Sequence, residues 1–485
     1  MTSALWTAFE AAAATGGALC ARGGDPCRWV AEEWAADGIS IDTRTLKRGE
    51  IFVALADARD GHDFVKAAFE KGAPAALVAR APGDTPDGAP LLLVRDTLEG
   101  LRDLARAARV RNFGKRIAVT GSAGKTSVKE MLHAALASSG SVHAADRSFN
   151  NHWGVPLTLA RLPIDCEFGI FEIGMNHAGE ITPLTRLVAP HVAIVTTIAP
   201  AHLEFFGSLD KIAEAKSEIF SGVAKNGAAV LPRDSSQFDL LKDRARDAGV
   251  RRIISFGEHD EADIRLVDYA LKGEQGAINV SAFGEAIGFT LGAPGRHQAV
   301  NALAVIAALN AIGEPLGPAL DALAGFAAGE GRGARRKIRI AGGGEILLID
   351  ESYNANPASM AAALALLGAS RPRGNGRRIA VLGEMLELGP QGPALHAALV
   401  ESLIVANVDR LYVAGELMDH LWDAAPKAMR GARAETAAEL ASAVLADLRD
   451  GDVVMVKGSN ASKVSDIARA LETAGAAAPA RKASA

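Results

Sequence analysis

Short runs of consecutive apolar residues recur along the chain, separated by segments whose apolar positions return every three or four residues. This pattern predicts buried strands joined by amphipathic helices, the rhythm of a mostly parallel α/β sheet. It falls into three blocks. The first ends near Arg111 and predicts a strand over Gly49 to Leu55, a helix from Phe64 to Lys71 and a strand from Ala75 to Val78. The second predicts strands at Arg116 to Thr120, Phe168 to Ile173, Val192 to Thr197 and Ala228 to Leu231. The third opens near Gly331 to Arg335 and repeats the rhythm with strands at Ile346 to Asp350, Ile379 to Leu382, Leu411 to Val413 and Val453 to Val456. No sequence repeat of fixed period accompanies it.

Composition sharpens this picture. A chain of 485 residues is too long for one core and suggests about three domains. The expected organisation is a small α/β domain over 1–111, a central P-loop ATPase-like domain over 112–330, a Rossmann-like domain over 331–472 and a disordered alanine-rich tail over 473–485. Lys and Arg total 52 against 57 Asp and Glu, a net charge of -5, so a nucleic-acid wrapper is excluded for want of basic excess. Cys20, Cys27 and Cys166 form neither an even disulfide set nor a CxxC pair, which suits a reducing compartment. The amino terminus lacks the basic residues of a signal peptide, and the stretches Leu187 to Leu203 and Ala299 to Gly313 are shorter than the roughly 20 residues a bilayer requires. The cysteines carry no chemistry in this reading, and the expectation is a cytoplasmic monomer.

The segment Gly121-Ser122-Ala123-Gly124-Lys125-Thr126-Ser127 follows a predicted strand and opens a helix with apolar spacing at Val128, Met131, Leu132, Ala135 and Leu136. Glycines let backbone N–H groups close around phosphate oxygens, the helix amino terminus adds a positive dipole end, and Lys125 supplies a mobile cation. Thr126 offers a hydroxyl to Mg2+. A nucleoside triphosphate is the natural ligand, although Val119 stands where the full pattern has glycine. The bland alternative is a glycine turn with an exposed lysine.

A second unusual lysine lies in the segment Leu209 to Phe220, which reads as one helix. Leu209, Ile212, Ala213, Ile219 and Phe220 form an apolar stripe, and Lys216 falls in the middle of it. A buried ammonium either finds an anionic partner or loses its proton. The neutral amine can capture CO2 as a carbamate, turning a cation into an oxygen ligand for a divalent metal. A snorkelling lysine is the alternative.

Glu172 and His202 follow strands at positions where α/β sheets bind ligands, and with Thr126 they form a candidate ligand set for one or two Mg2+ ions. A capped carboxylate and a structural imidazole are the alternatives. Asp350 ends the strand EILLID, Asn356 before Pro357 reads as a helix N-cap, and Lys457 follows the last strand, where it either holds an anion or sits in an exposed turn.

Taken together, the strings TGSAGKTSVKEM, NNHWGVPLTLARL, FEIGMNHAGEI, TTIAPAHLEFFGSLDKIAEAKSEI, IDESYNANPASM and VLGEMLELG resemble the Mur ligase family of ATP-dependent amide-forming enzymes over nearly the whole chain. IDTRTLKRGEIFVAL resembles the family's uridine-binding domain. The DESYNANPASM string implies the branch that adds D-Ala-D-Ala to UDP-MurNAc-tripeptide. The resemblance implies ATP phosphates on Lys125 and the loop amides of Gly121 to Ser127, and magnesium among Thr126, Glu172, His202 and a carbamylated Lys216. His297, Asn301, Arg332 and Asp350 would contact ATP. Thr43, Arg44, Asn150 and Asn151 would face the UDP-sugar-peptide, with Asn354, Asn356 and Lys457 also on the substrate side. Gln298 stands where the family string has asparagine, and Asn460 where it has arginine. A folylpolyglutamate synthase-like ligase and a non-enzymatic P-loop switch are the competing readings; the first lacks use for a uridine-type block, the second for Lys216.

Overall fold

A computed structural model describes residues 4–21, 33–146, 148–201, 203–340 and 343–477. The chain forms two compact units, one of Met1–Thr120, Ser139–Ala193 and Glu218–Ala228, the other of Gly121–Ser138, Ile194–Ser217 and Ala229–Ala485. Cys27 lies outside the described residues, and Cys20 and Cys166 are free thiols.

The first unit holds a five-stranded sheet in the order Ala18–Ala21, Pro90–Leu93, Ala76–Val78, Glu50–Val53, Gly38–Ser40. Only the first pair is antiparallel. Helix Thr97–Arg111 starts where the Asp96 carboxylate accepts the Glu99 N–H at 2.8 Å, and it carries Arg109 and Arg111 in its last turn, matching both ends of the helix dipole. The same unit contains the parallel strands Lys115–Thr120, Phe168–Glu172 and Val142–Ala144. The Trp6 indole donates to the Ala160 carbonyl at 3.0 Å and Arg161 Nε to Ile39 O at 2.6 Å, joining the amino-terminal sheet to this neighbouring layer.

His191 supports the strand Lys115–Thr120 as a neutral base: its Nδ1 accepts the Arg116 N–H at 2.9 Å. Burial, followed by the charges of Arg116 and Lys115, lowers its pKa from 6.5 to about 4. Because the folded pKa lies below the unfolded one, protons bind the unfolded chain first and stability falls as pH drops from about 6.5 toward 4. Chemical denaturation of the His191→Gln variant is expected to show a flatter pH dependence over that window than the parent.

The second unit contains strands in the order Glu285–Leu291, Gln275–Ala282, Ile264–Lys272, Arg252–Gly257 and then, from Ala229 onward, the strand Ala228–Pro232. Its first three strands are antiparallel, closed by two-residue turns at 273–274 and 283–284 with positive φ at Gly273, Phe283 and Gly284. This meander departs from the strand–helix rhythm expected for the block. Its strands alternate buried and exposed positions instead.

A six-stranded sheet follows, ordered Ala334–Arg339, Glu345–Glu351, Val453–Lys457, Arg378–Gly383, Arg410–Ala414, Arg430–Ala434, with the first pair antiparallel and the others parallel. Ile349, Val453 and Met455 face one core with Met360, Leu364 and Leu367, while Leu348, Val454 and Val456 face another with Leu440 and Ile467. Helices therefore cover both faces, which is why these strands are unbroken apolar runs. Helix Ser465–Ala477 extends through residues 473–477, where disorder was expected; residues 478–485 lie outside the described chain.

The expected single helix from Leu209 to Phe220 is an α-helix over Leu209–Ser217 followed by a 3-10 turn over Glu218–Gly222. The change coincides with Glu218, whose carboxylate accepts the backbone N–H groups of Gly179 at 2.6 Å and Thr182 at 3.0 Å and so binds the start of helix Ile181–Val188.

Candidate active site

The phosphate loop is shaped by its glycines. Gly121 has φ +149° and Gly124 φ +83°. A Cβ on Gly121 would lie 1.9 Å from Thr196 Oγ1, and one on Gly124 2.6 Å from Asn301 Oδ1. Both positions therefore require the residue without a side chain. Gly124 caps helix Lys125–Leu136 with no side-chain bond at the cap, which leaves the helix amino terminus for an anion. Ser122 Oγ donates to Ala199 O at 2.9 Å and the Ser122 N–H to Thr197 O at 2.8 Å; the Thr196 hydroxyl donates to Ala123 O. Lys125 Nζ folds back on Gly121 O at 2.8 Å, and Thr126 is buried in the first helical turn beside half-buried Ser127. Gly121→Ala is expected to cost about 1–3 kcal/mol through strain and overpacking, with nucleotide affinity lost as well. Thermal melts and nucleotide titration of the variant check this.

Lys216 is 2% exposed, within the apolar stripe read from the sequence. Burial lowers its pKa well below the usual lysine value, and the positive charge of Lys125 adds to the effect. No carboxylate pairs with it among the described residues. Both effects favour the neutral, nucleophilic form of the amine.

Glu172 and Asn150 meet in the first unit, where Asn150 Nδ2 donates to Glu172 Oε1 at 2.8 Å. Glu172 ends its strand almost fully buried, in register with Val119, two positions before Gly121 in sequence. Asn151 Oδ1 accepts the N–H groups of Trp153 and Gly154 at the start of helix Gly154–Ala160. Thr43 O accepts Lys71 Nζ, and Arg44 forms a two-point pair with Asp42 while its side chain remains 79% exposed. His202 lies outside the described residues.

At the carboxyl ends of the six-stranded sheet, Asp350 is held by its own loop. Oδ2 accepts the Gly331 N–H at 2.8 Å, and Oδ1 accepts the Ser352 N–H and hydroxyl. Arg332 lies with its guanidinium carbon 3.8 Å from the centre of the Tyr353 ring. Asn356 is the expected N-cap, in a capping box with Ser359, and its Nδ2 also reaches Ser122 O at 3.3 Å. Asn354 Oδ1 accepts the next N–H, and its carbonyl accepts Lys457 Nζ at 2.9 Å. Lys457 is buried rather than exposed in a turn. Burial lowers its pKa while Glu351, 3.5 Å away at Oε2, opposes the shift.

Glu351 itself escaped the sequence reading. It is 8% exposed, Oε1 has no hydrogen-bond partner among the described residues, and that oxygen is 3.8 Å from His297 Nε2. Burial lowers the His297 pKa, partly countered by Glu351. The signal available in sequence was a second carboxylate directly after Asp350 at a strand end. Gln298, in place of the family asparagine, is buried, accepts from Asn301 Nδ2 at 3.2 Å and faces the Arg332 carbonyl at 3.5 Å. Asn460 opens an exposed 3-10 turn.

A glycine-shaped phosphate loop backed by a buried amine defines a P-loop protein that uses a nucleoside triphosphate. Family models for the Mur ligase middle domain and the Mur ligase glutamate ligase domain match residues 119–309 and 335–460. The chain belongs to the Mur ligase family. It is 33% identical to a UDP-N-acetylmuramoyl-tripeptide–D-alanyl-D-alanine ligase of Rickettsia prowazekii, over 88% of this chain and 94% of that one. It is 35% identical to the Escherichia coli ligase of the same name, over 90% and 94%. Among solved structures, a MurF crystal structure from Acinetobacter baumannii superposes with TM-score 0.82 at 29% identity, covering 96% of this chain and 99% of that one. MurF from Thermotoga maritima in complex with ADP superposes with TM-score 0.76 at 26% identity, covering 90% and 97%.

Proposed function

We propose that this chain is an ATP-dependent ligase that joins D-alanyl-D-alanine to UDP-N-acetylmuramoyl-tripeptide in peptidoglycan precursor synthesis. The observation that carries this reading is likeness to ligases of that name across about nine-tenths of the chain, with the phosphate loop intact. No helix among the described residues is long and apolar enough to cross a membrane, and we place the reaction in the cytoplasm, on a monomer. Separate five-stranded and six-stranded sheets support the uridine-binding domain proposed over 1–111 and the dipeptide-binding domain proposed over 331–472, with the ATP-binding domain over 112–330 between them in sequence.

The tripeptide carboxylate is a poor acyl donor because oxide is a poor leaving group. Its oxygen attacks the γ-phosphorus of ATP, the bond to the bridging oxygen breaks and ADP leaves, giving an acyl phosphate. The amine of the dipeptide then attacks the carbonyl, phosphate departs and the amine proton is lost. Lys125 and the loop amides bind the phosphates and spread the charge that develops on them. Among the described residues no three His, Cys, Asp or Glu side chains cluster as a metal cage. Mg2+ is bound through one or two carboxylates together with substrate phosphates and several waters. Thr126, Glu172 and His202 are the proposed holders, and magnesium would neutralise phosphate charge there. In its deprotonated form Lys216 Nζ would attack CO2 and release a proton, and the carbamate oxygens would join that set. His297, Asn301, Arg332 and Asp350 are the proposed ATP positions; Thr43, Arg44, Asn150 and Asn151 face the nucleotide sugar, and Asn354, Asn356 and Lys457 the dipeptide side.

Phosphate release measured with ATP alone, with each substrate singly and with both tests the reading. Release is expected only with both, and donor tripeptides ending in diaminopimelate or lysine are ranked in the same series. Release with neither substrate, gated by a protein partner, would favour a nucleotide switch.

A further inference from the structure

A cavity of about 610 Å³ lies at the amino-terminal ends of strands Glu345–Glu351 and Val453–Lys457. Asp350, Glu351 and Lys457 occupy the opposite ends of these strands, so the cavity is separate from the loops described above. Its volume is typical of a small-molecule site.

Alternation along the edge strand Ala334–Arg339 puts Arg335 and Lys337 on one face, Arg336 and Ile338 on the other. The second face is occupied: Arg336 pairs with Glu472, and Ile338 joins the core that contains Ile467. The first face lines the cavity together with Arg371 and Arg373. Three carboxylates also border it, and each has a cation. Asp452 is bound by Arg377 at 2.9 Å, Glu345 by Arg373 at 2.9 Å, and Glu274 lies 3.5 Å from Lys337. Arg335 and Arg371 form no ion pair among the described residues.

Arg335 is the informative one. Its Nε and Nη1 are buried and have no hydrogen-bond partner among the described residues. Burial pulls its pKa down, with Glu274 only partly opposing the change. Arg111 also has buried donors without partners, but its guanidinium is stacked 3.9 Å from the Trp6 ring centre. The Arg335 side chain instead lines the cavity. Buried guanidinium donors are costly unless an acceptor reaches them, and oxyanions match them best.

We propose that this cavity binds a small metabolite through a phosphate or carboxylate group held by Arg335 and Arg371. The site is independent of the ligation chemistry, so its failure leaves the proposed function standing.

The test uses the full chain carrying Lys125→Ala, which weakens the phosphate loop, and reads thermal shift and calorimetric titration with inorganic phosphate or citrate against chloride of matched ionic strength. Saturable binding of one anion is expected, with the tighter of the two identifying phosphate or carboxylate chemistry. Adding Arg335→Leu should weaken it at least about tenfold, since a charge-assisted pair is lost. Arg371→Gln, on an exposed side chain, should weaken it without altering the melt in chloride, which keeps the test valid if Arg335→Leu misfolds. No saturable binding, or binding unchanged by both substitutions, overturns the proposal.

Discussion

Replacing Lys125 by alanine is expected to lower kcat/KM for ligation by about 10³-fold, near 4 kcal/mol of transition-state stabilisation. The amine sits at the amino terminus of helix Lys125–Leu136 and donates to Gly121 O, a bond it can exchange for a phosphate oxygen by rotating its flexible stem. Arginine at the same place should rescue little, because its larger planar head cannot enter a loop closed around Gly121 and Gly124. Steady-state phosphate release with both substrates present measures the loss. A structural role alone would instead shift the melting temperature and leave kcat nearly unchanged.

The second large effect concerns Lys216. Lys216→Met is expected to abolish turnover, by about 10³-fold or more, while raising the melting temperature of the ligand-free protein. Activity falls because no carbamate can form. Stability rises because a buried amine without a carboxylate partner is replaced by an apolar side chain of similar length. Opposite signs for the two readouts separate chemical function from packing. In Lys216→Ala, added short carboxylic acids should restore part of the activity by supplying the missing oxygens. Full turnover in either variant rejects the carbamate.

These two lysines were legible in the sequence for different reasons. The phosphate loop is local: its strand, glycines and helix are contiguous, so short-range rules suffice. Lys216 was visible as a charge inside a helical apolar stripe, and it is buried as that stripe requires. Asn356 before Pro357 is an equally local signal, and Asn356 caps its helix. The Glu351, His297 and Lys457 cluster was not legible, because three segments more than 50 residues apart must meet before the unpartnered oxygen of Glu351 becomes evident. Nor does spacing reveal that Gln298 bridges Asn301 and the Arg332 carbonyl, a contact set by side-chain reach across a loop.

The antiparallel meander over 264–291 is a different kind of omission. Its alternating positions and two-residue turns are present in the sequence, but they are flanked on either side by the stronger strand–helix rhythm. The helix over Leu209–Ser217 shows the converse: periodicity alone carried it through Phe220, whereas the Glu218 carboxylate is drawn to the backbone of Gly179 and Thr182. Periodicity reports which face is buried; it does not report a tertiary hydrogen bond that ends a helix.

The most direct measurement follows the donor oxygen. With oxygen-18 in the terminal carboxylate of UDP-N-acetylmuramoyl-tripeptide, mass spectrometry of the released phosphate should find one heavy oxygen per ligation event, because that oxygen becomes bonded to phosphorus and leaves with it. Product formation accompanied by unlabelled phosphate would contradict the account.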